Sequence, residues 1–298
     1  MSRIRNILSN IFLSPEERRL RAGWRVLVQY ILLSLIAFFI GIPFSIILIL
    51  IPDFDFFLLN FIVSVIVVPL SVFIARRFID RRSFVSLGFR WDVDALKDLW
   101  AGFFIAGGMM ALVYLIELAA GWLQYKGPGW EKVIYSDYLF MILMWSVAFL
   151  AVGFYEELMS RGYYLQNLEE GAGTPIAVLV SSILFAVGHL LNPNMWWAAV
   201  VGLIFSGIFL AYAYVRTRRL WLSIGLHIGW NIFEGLVFGF PVSGMNFPSL
   251  ITIRVDGPRY FTGGAFGPEA GLVLLPALLF GSLLVFWYTR NRKKSEIN

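Results

Sequence analysis

Residues 138–161 read YLFMILMWSVAFLAVGFYEELMSR. From Tyr138 to Tyr155 there is no charged side chain, and then Glu156, Glu157 and Arg161 arrive together. A bilayer's hydrocarbon core of about 30 Å takes about 20 apolar residues of helix. The stretch therefore predicts a membrane-crossing helix that ends in a cluster of ionisable groups. Working outward, comparable apolar runs predict further helices at 26–51, 56–75, 97–122, 174–191, 197–215, 220–239 and 270–289. With 138–160 this makes an all-α, polytopic integral membrane protein of about eight transmembrane helices. The composition agrees, since 59% of the 298 residues are hydrophobic and only 14% charged, against about 25% charged in soluble domains. So few charges cannot cover a water-facing surface, and the apolar runs are spread over the whole chain. A soluble enzyme on a single anchor is excluded.

The formal net charge of +5 follows topology. Arg3, Arg5, Arg18, Arg19, Arg21 and Arg25 precede the first run, and Arg76, Arg77, Arg81, Arg82 and Arg90 follow the second. Arg216, Arg218 and Arg219 separate the sixth from the seventh, while Arg290, Arg292, Lys293 and Lys294 close the chain. Alternate loops are poor in basic residues, and residues 52–55 and 189–197 carry no Arg or Lys. Basic loops stay cytoplasmic, so both termini are expected on that side, and the basic excess implies no nucleic-acid partner. The absence of cysteine removes disulfides, thiolate nucleophiles, iron–sulfur clusters and cysteine-bound zinc.

Residues 1–22 read as an amphipathic segment on the inner leaflet, and 23–298 as a single membrane domain. Its polar positions concentrate in a core at 138–239, followed by a Gly/Pro-rich outer loop at 240–269. In that loop Ile251–Val255, the turn Asp256-Gly257 and Arg259–Thr262 predict a small hairpin. Gly102-xxx-Ala106 and Gly207-xxx-Ala211 are positions where helices can approach closely.

An ionisable group inside a span is costly, which makes each one a functional candidate. The set comprises Glu117, Glu156, Glu157, Arg161, His189, His227, Asn231 and Glu234, and it includes both histidines of the chain. Glu157 and Arg161 stand four apart in the order that favours a helical ion pair. Glu156 is rotated about 100° from Glu157, leaving it to face a cavity. The plainer alternative is a charge cluster where the helix leaves the bilayer. Phe185 and His189 are four apart, as are His227 and Asn231, and each pair shares one helix face. Polar contacts between helices are the structural alternative for both. Glu234 falls near the His227 face, while Glu117 is expected at the interface. As a hydrolytic centre, Glu156 would be general base on a water, with His189 positioning that water or sharing the proton. His227 and Asn231 would donate to an oxyanion.

Glu156-Glu157-xxx-Arg161, Phe185-xxx-His189 and His227-xxx-Asn231, in this order on apolar helices, resemble the motifs of the CPBP family. These are the type II CAAX prenyl endopeptidases and bacteriocin-processing membrane proteins, also called the Abi family. The resemblance covers about residues 140–235. It implies an eight-helix fold, location in a prokaryotic cell membrane, and intramembrane glutamic endopeptidase chemistry without metal or other cofactor. Glu156 matches the base, His189 its partner, His227 and Asn231 the oxyanion donors, and Glu157, Arg161 and Phe185 the supporting residues. The implied partner is a membrane-associated peptide or protein substrate within the lipid bilayer. Two other readings stay open at the sequence level: a non-catalytic membrane immunity or binding protein, and a metal-dependent hydrolase using both histidines and a glutamate.

Overall fold

The computed structural model describes residues 12–14, 19–51, 56–131 and 134–292. The amphipathic segment expected at 1–22 falls mostly outside them. In chain order the helices are α1 (Ala22–Leu50), α2 (Phe56–Ile74), α3 (Val93–Ala119), α4 (Tyr135–Glu157), α5 (Gln166–Ala172) and α6 (Thr174–Gly188). They continue with α7 (Trp197–Thr217), α8 (Trp221–Asn231), α9 (Arg259–Thr262) and α10 (Leu274–Thr289). Two short strands, β1 (Leu123–Pro128) and β2 (Ile251–Val255), pair antiparallel. Three helices widen into π-helical turns: α2 into Ala75–Ile79, α4 into Leu158–Leu165, and α8 into Ile232–Val237.

Among the described residues five helical segments are long and apolar enough to cross a membrane: Ala22–Ile46, Leu59–Ile79, Val93–Ala119, Tyr135–Ala172 and Trp197–Thr217. The protein is thus a polytopic, all-α membrane protein, but with five such spans where eight were expected. The other three apolar runs are helical and too short. α6 and α10 have 15 and 16 residues, or about 22–24 Å at 1.5 Å per residue. α8 has 11 residues, nine of them buried, so its apolar side chains face protein all round, as in a core helix.

The chain forms two compact units, residues 1–90 with 155–181, and residues 91–154 with 182–298. The first unit is organised by α1 and α2 around buried charge. Asp80, fully buried, accepts from Arg76 at 3.0 Å, Tyr163 at 3.2 Å and Asn167 at 3.3 Å, with Arg25 at 3.6 Å. Glu170 gathers Arg19, Arg25 and Arg82 at 2.9, 2.6 and 2.5 Å. Gln29 donates to Ser71 between α1 and α2. Apolar side chains on the other faces of α1, such as Phe38 and Phe39, are exposed, as a lipid-facing helix requires.

The second unit is built on α3 against α8. Gly102, Gly225 and Gly229 let the two backbones touch. A Cβ at Gly102 would meet the Leu222 carbonyl and, at 2.6 Å, the Leu226 nitrogen; one at Gly229 would meet the Phe103 carbonyl at 2.5 Å. Gly207 of α7 packs on Ser182 of α6, where a Cβ would stand 2.8 Å from the serine's own. The N-terminus of α3 is capped by Asp92, which accepts from the Ala95 amide and from the two terminal guanidinium nitrogens of Arg219. At the far end of α3 the hairpin expected in 240–269 is absent. β2 forms where predicted but pairs with β1, and Arg259–Thr262 is a helical turn. Pro258 explains the change: it lacks the amide a second strand needs and starts a helical turn instead. Gly257 also packs tightly on Trp122, leaving 2.6 Å for a Cβ.

Candidate active site

The seven residues singled out by their spacing fall into two groups, one in each unit. In the first unit, α4 ends at Glu157 and the chain widens into the π-helical turn that carries Arg161. Arg161 donates to Glu157 at 2.7 Å, with side-chain exposures of 1% and 0%. A buried pair of this kind is held by its mutual attraction, and loss of either partner strands a charge. Glu156, its immediate neighbour, is only partly buried. The two adjacent carboxylates are therefore in different environments, as the 100° rotation requires. The carboxylate of Glu156 also acts electrostatically on Arg161.

In the second unit, Phe185 joins the two histidines. Its ring lies 4.7 Å from that of His189 and 6.0 Å from that of His227, the latter edge-on at 75°. His189 follows the last residue of α6, in the turn that closes the helix. Its Nδ1 lies 2.9 Å from the Phe185 carbonyl oxygen. A carbonyl oxygen only accepts, so Nδ1 is the donor of this hydrogen bond. His227 and Asn231 are both buried on α8, one turn apart, directly before the π-helical turn Ile232–Val237. π-Helical turns are frequent at functional sites, and here one follows α4 and another α8, two of the three helices that carry a motif.

The same unit adds acidic groups the sequence reading weighed little or passed over. Glu117, expected at the interface, is fully buried on α3. Glu234 is fully buried in the π-helical turn after Asn231. Glu269, in the short turn Pro268–Ala270, is buried, and its Oε2 accepts from both the backbone N–H and the hydroxyl of Ser243, at 2.8 and 2.7 Å. Burial pushes the Glu269 carboxyl above the ordinary glutamate range, against the Ser243 hydrogen bonds and the charges of His189 and His227. One sequence signal pointed to Glu269: between Arg259 and Arg290 it is the sole charged residue. Among the described residues no three His, Cys, Asp or Glu side chains are grouped to hold a metal ion.

The family model that matches this chain is described as Rce1-like, type II CAAX prenyl endopeptidase Rce1-like, and it covers residues 138–233. That segment contains all three motifs and every one of the seven residues. No curated protein and no solved structure matches the chain significantly.

Proposed function

We propose that the protein is an intramembrane endopeptidase that hydrolyses a peptide bond of a membrane-associated peptide or protein with a glutamate-activated water. The observation that carries the reading is the arrangement of the two histidines around Phe185. Phe185 flanks both rings, and its carbonyl oxygen accepts from Nδ1 of His189. Lipidated, and in particular prenylated, substrates are the class named by the matching family description.

In this mechanism Glu156 is the general base that takes a proton from the water, and His189 positions that water or shares the proton. The water oxygen bonds to the scissile carbonyl carbon, and the carbonyl oxygen becomes an oxyanion accepting hydrogen bonds from His227 and Asn231. Collapse of this intermediate breaks the C–N bond. The proton held by Glu156 passes to the leaving nitrogen, giving a carboxylic acid and an amine, and transfer of the acid's remaining proton to the amine leaves a carboxylate and an ammonium. Glu157 and Arg161 neutralise one another and hold the end of α4, so that the charge of Glu156 is not simply quenched by the guanidinium.

The test uses full-length protein in proteoliposomes with internally quenched peptides, prenylated and unprenylated, as probes. Wild type is expected to cleave. Glu156→Gln and His189→Ala are expected to lose at least 10²-fold in kcat, and Asn231→Ala about 10²-fold. Cleavage by Glu156→Gln at the wild-type rate would overturn the mechanism.

A further inference from the structure

Glu269 lies outside the three motifs, yet the fold places it with the histidines by several independent ties. Ala270 and Phe266, on either side of it, pack in one apolar cluster with Phe185 and Ala186 of α6. Asn192, three residues after His189, donates to the Ser243 carbonyl at 3.1 Å, and Asn194 donates to the Gly244 carbonyl at 3.0 Å. The Gly244 amide in turn donates to Phe266 at 2.8 Å. The turn holding Ser243 is thereby fixed both to the chain after His189 and to the turn holding Glu269. Ser243 then donates twice to Glu269 Oε2. Beneath it, the Glu269 backbone carbonyl packs against Gly202 of α7, where no side chain would fit. Gly267, two residues earlier, adopts a φ of 109°, which only glycine accepts without strain.

We propose that Glu269 is a positioning residue whose carboxylate, clamped by Ser243, is the electrostatic partner of His189 and His227 and supplies the counter-charge when an imidazole holds a proton. A buried carboxylate and a neighbouring imidazole each favour the charged form of the other. The double donation from Ser243 occupies one carboxylate oxygen and holds the side chain in place, on a turn whose neighbours Phe266 and Ala270 pack against Phe185. The ionisable groups around Glu269 are few. His189 and His227 act on it from the end of α6 and from α8, and Glu234 acts from the π-helical turn after α8. On α9 the guanidinium of Arg259 is stacked 4.1 Å over Trp196. Glu234 is the one like charge in this set. A proton shared between the two carboxyl groups would keep only one of them ionised, as in coupled carboxyl pairs.

The coupling itself is independent of substrate; its role in hydrolysis rests on the endopeptidase reading above. Because the chain has only two histidines, full-length protein labelled with ¹⁵N in the histidine rings and reconstituted in nanodiscs gives a direct test. At a fixed pH of about 6, Glu269→Gln is expected to move the ring-nitrogen signals of His189, His227 or both toward those of neutral imidazole. Glu269→Asp is expected to retain part of the wild-type position, and Ser243→Ala to give a smaller change in the same direction. On a cleaved probe peptide, Glu269→Gln is expected to lower kcat about tenfold with little change in KM, and to displace the acid limb of the pH profile to lower pH. Ring signals that superimpose on wild type in a folded Glu269→Gln protein overturn the proposal. Should that variant fail to fold, unchanged signals in both Glu269→Asp and Ser243→Ala overturn it equally. If the signals move while wild type cleaves no probe, the histidine coupling stands and the endopeptidase reading falls.

Discussion

The contact between α3 and α8 makes a quantitative prediction at Gly225. A Cβ at that position would run into the Leu99 carbonyl oxygen and would stand 2.9 Å from its carbon and 3.0 Å from its Cα. All three atoms are backbone, so no side chain can rotate away. Ordinary contact begins near 3.4 Å, and relieving the clash requires the helices to part by about 1 Å. Overpacking of this kind costs about 1–3 kcal/mol. The gain in helix propensity of alanine over glycine, about 1 kcal/mol, offsets part of it. Function is expected to suffer more, because His227 is two residues away on α8 and Asn231 six. A displacement of about 1 Å at reacting groups costs on the order of 10²-fold in rate. Gly225→Ala should therefore unfold 0–2 kcal/mol more easily, by about that margin from the two magnitudes just given, and lose most of its peptidase activity. The matched control is Gly108→Ala on α3, where a Cβ would meet only Phe280, at 3.5 Å. It should be neutral or slightly stabilising. The assay is denaturant unfolding in micelles, followed by tryptophan fluorescence, alongside probe cleavage in proteoliposomes. Identical activity and stability of the two alanine variants would refute the argument that backbone contact at Gly225 sets the position of α8.

Three further outcomes follow from the site. Arg161→Met should destabilise by about 3–5 kcal/mol because it strands the buried Glu157 charge, and the double change with Glu157→Gln should recover most of the loss; thermal melts of the single and double variants check this. Phe185→Leu should keep the fold but lower kcat, since the ring that flanks both histidines is gone, and steady-state cleavage rates measure it. The third concerns pH. The folded-state pKa of Glu269 lies above its ordinary 4.5, so the folded protein keeps a proton there that the unfolded chain releases. This contribution to stability is complete below pH 4.5 and is lost as the pH rises through the folded value. Melting wild type and Glu269→Gln across that range should show a steeper decline with pH in wild type.

The parts of this protein that the sequence makes legible are those set by local spacing. Glu157 and Arg161 form an ion pair because four residues on a helix bring them onto one face. Phe185 meets the His189 ring for the same reason. Gly102 marks a close helix approach, although the other half of that contact, Gly225 and Gly229, was not read from its own four-residue spacing. What was not legible depends on partners distant in sequence. β2 was correctly placed and wrongly paired, because β1 lies more than 120 residues away and carries the turn-rich residues Lys126, Gly127 and Pro128. Glu269 is marked locally only by its isolation as a charge between Arg259 and Arg290, and no spacing ties it to the motifs. Its meaning comes from Ser243, 26 residues earlier, and from the two histidines beyond.

The most instructive error is α8. Residues 220–239 are apolar enough to look like a lipid-crossing helix, yet 11 residues of α helix and a π-helical turn occupy that place. Hydropathy alone cannot separate a helix facing lipid from one facing protein on every side, since both exclude water. The distinction has a chemical consequence. A lipid-facing helix must keep its backbone regular and its polar groups out of the hydrocarbon. A helix enclosed by protein is free of both demands, because its neighbours can satisfy what it exposes. α8 uses that freedom twice, carrying His227, Asn231 and Glu234 on one short segment and widening to a π-helical turn beside them. The scarcity of charge in this chain thus has a second use: the few polar groups left within the apolar segments gather where protein, not lipid, surrounds them.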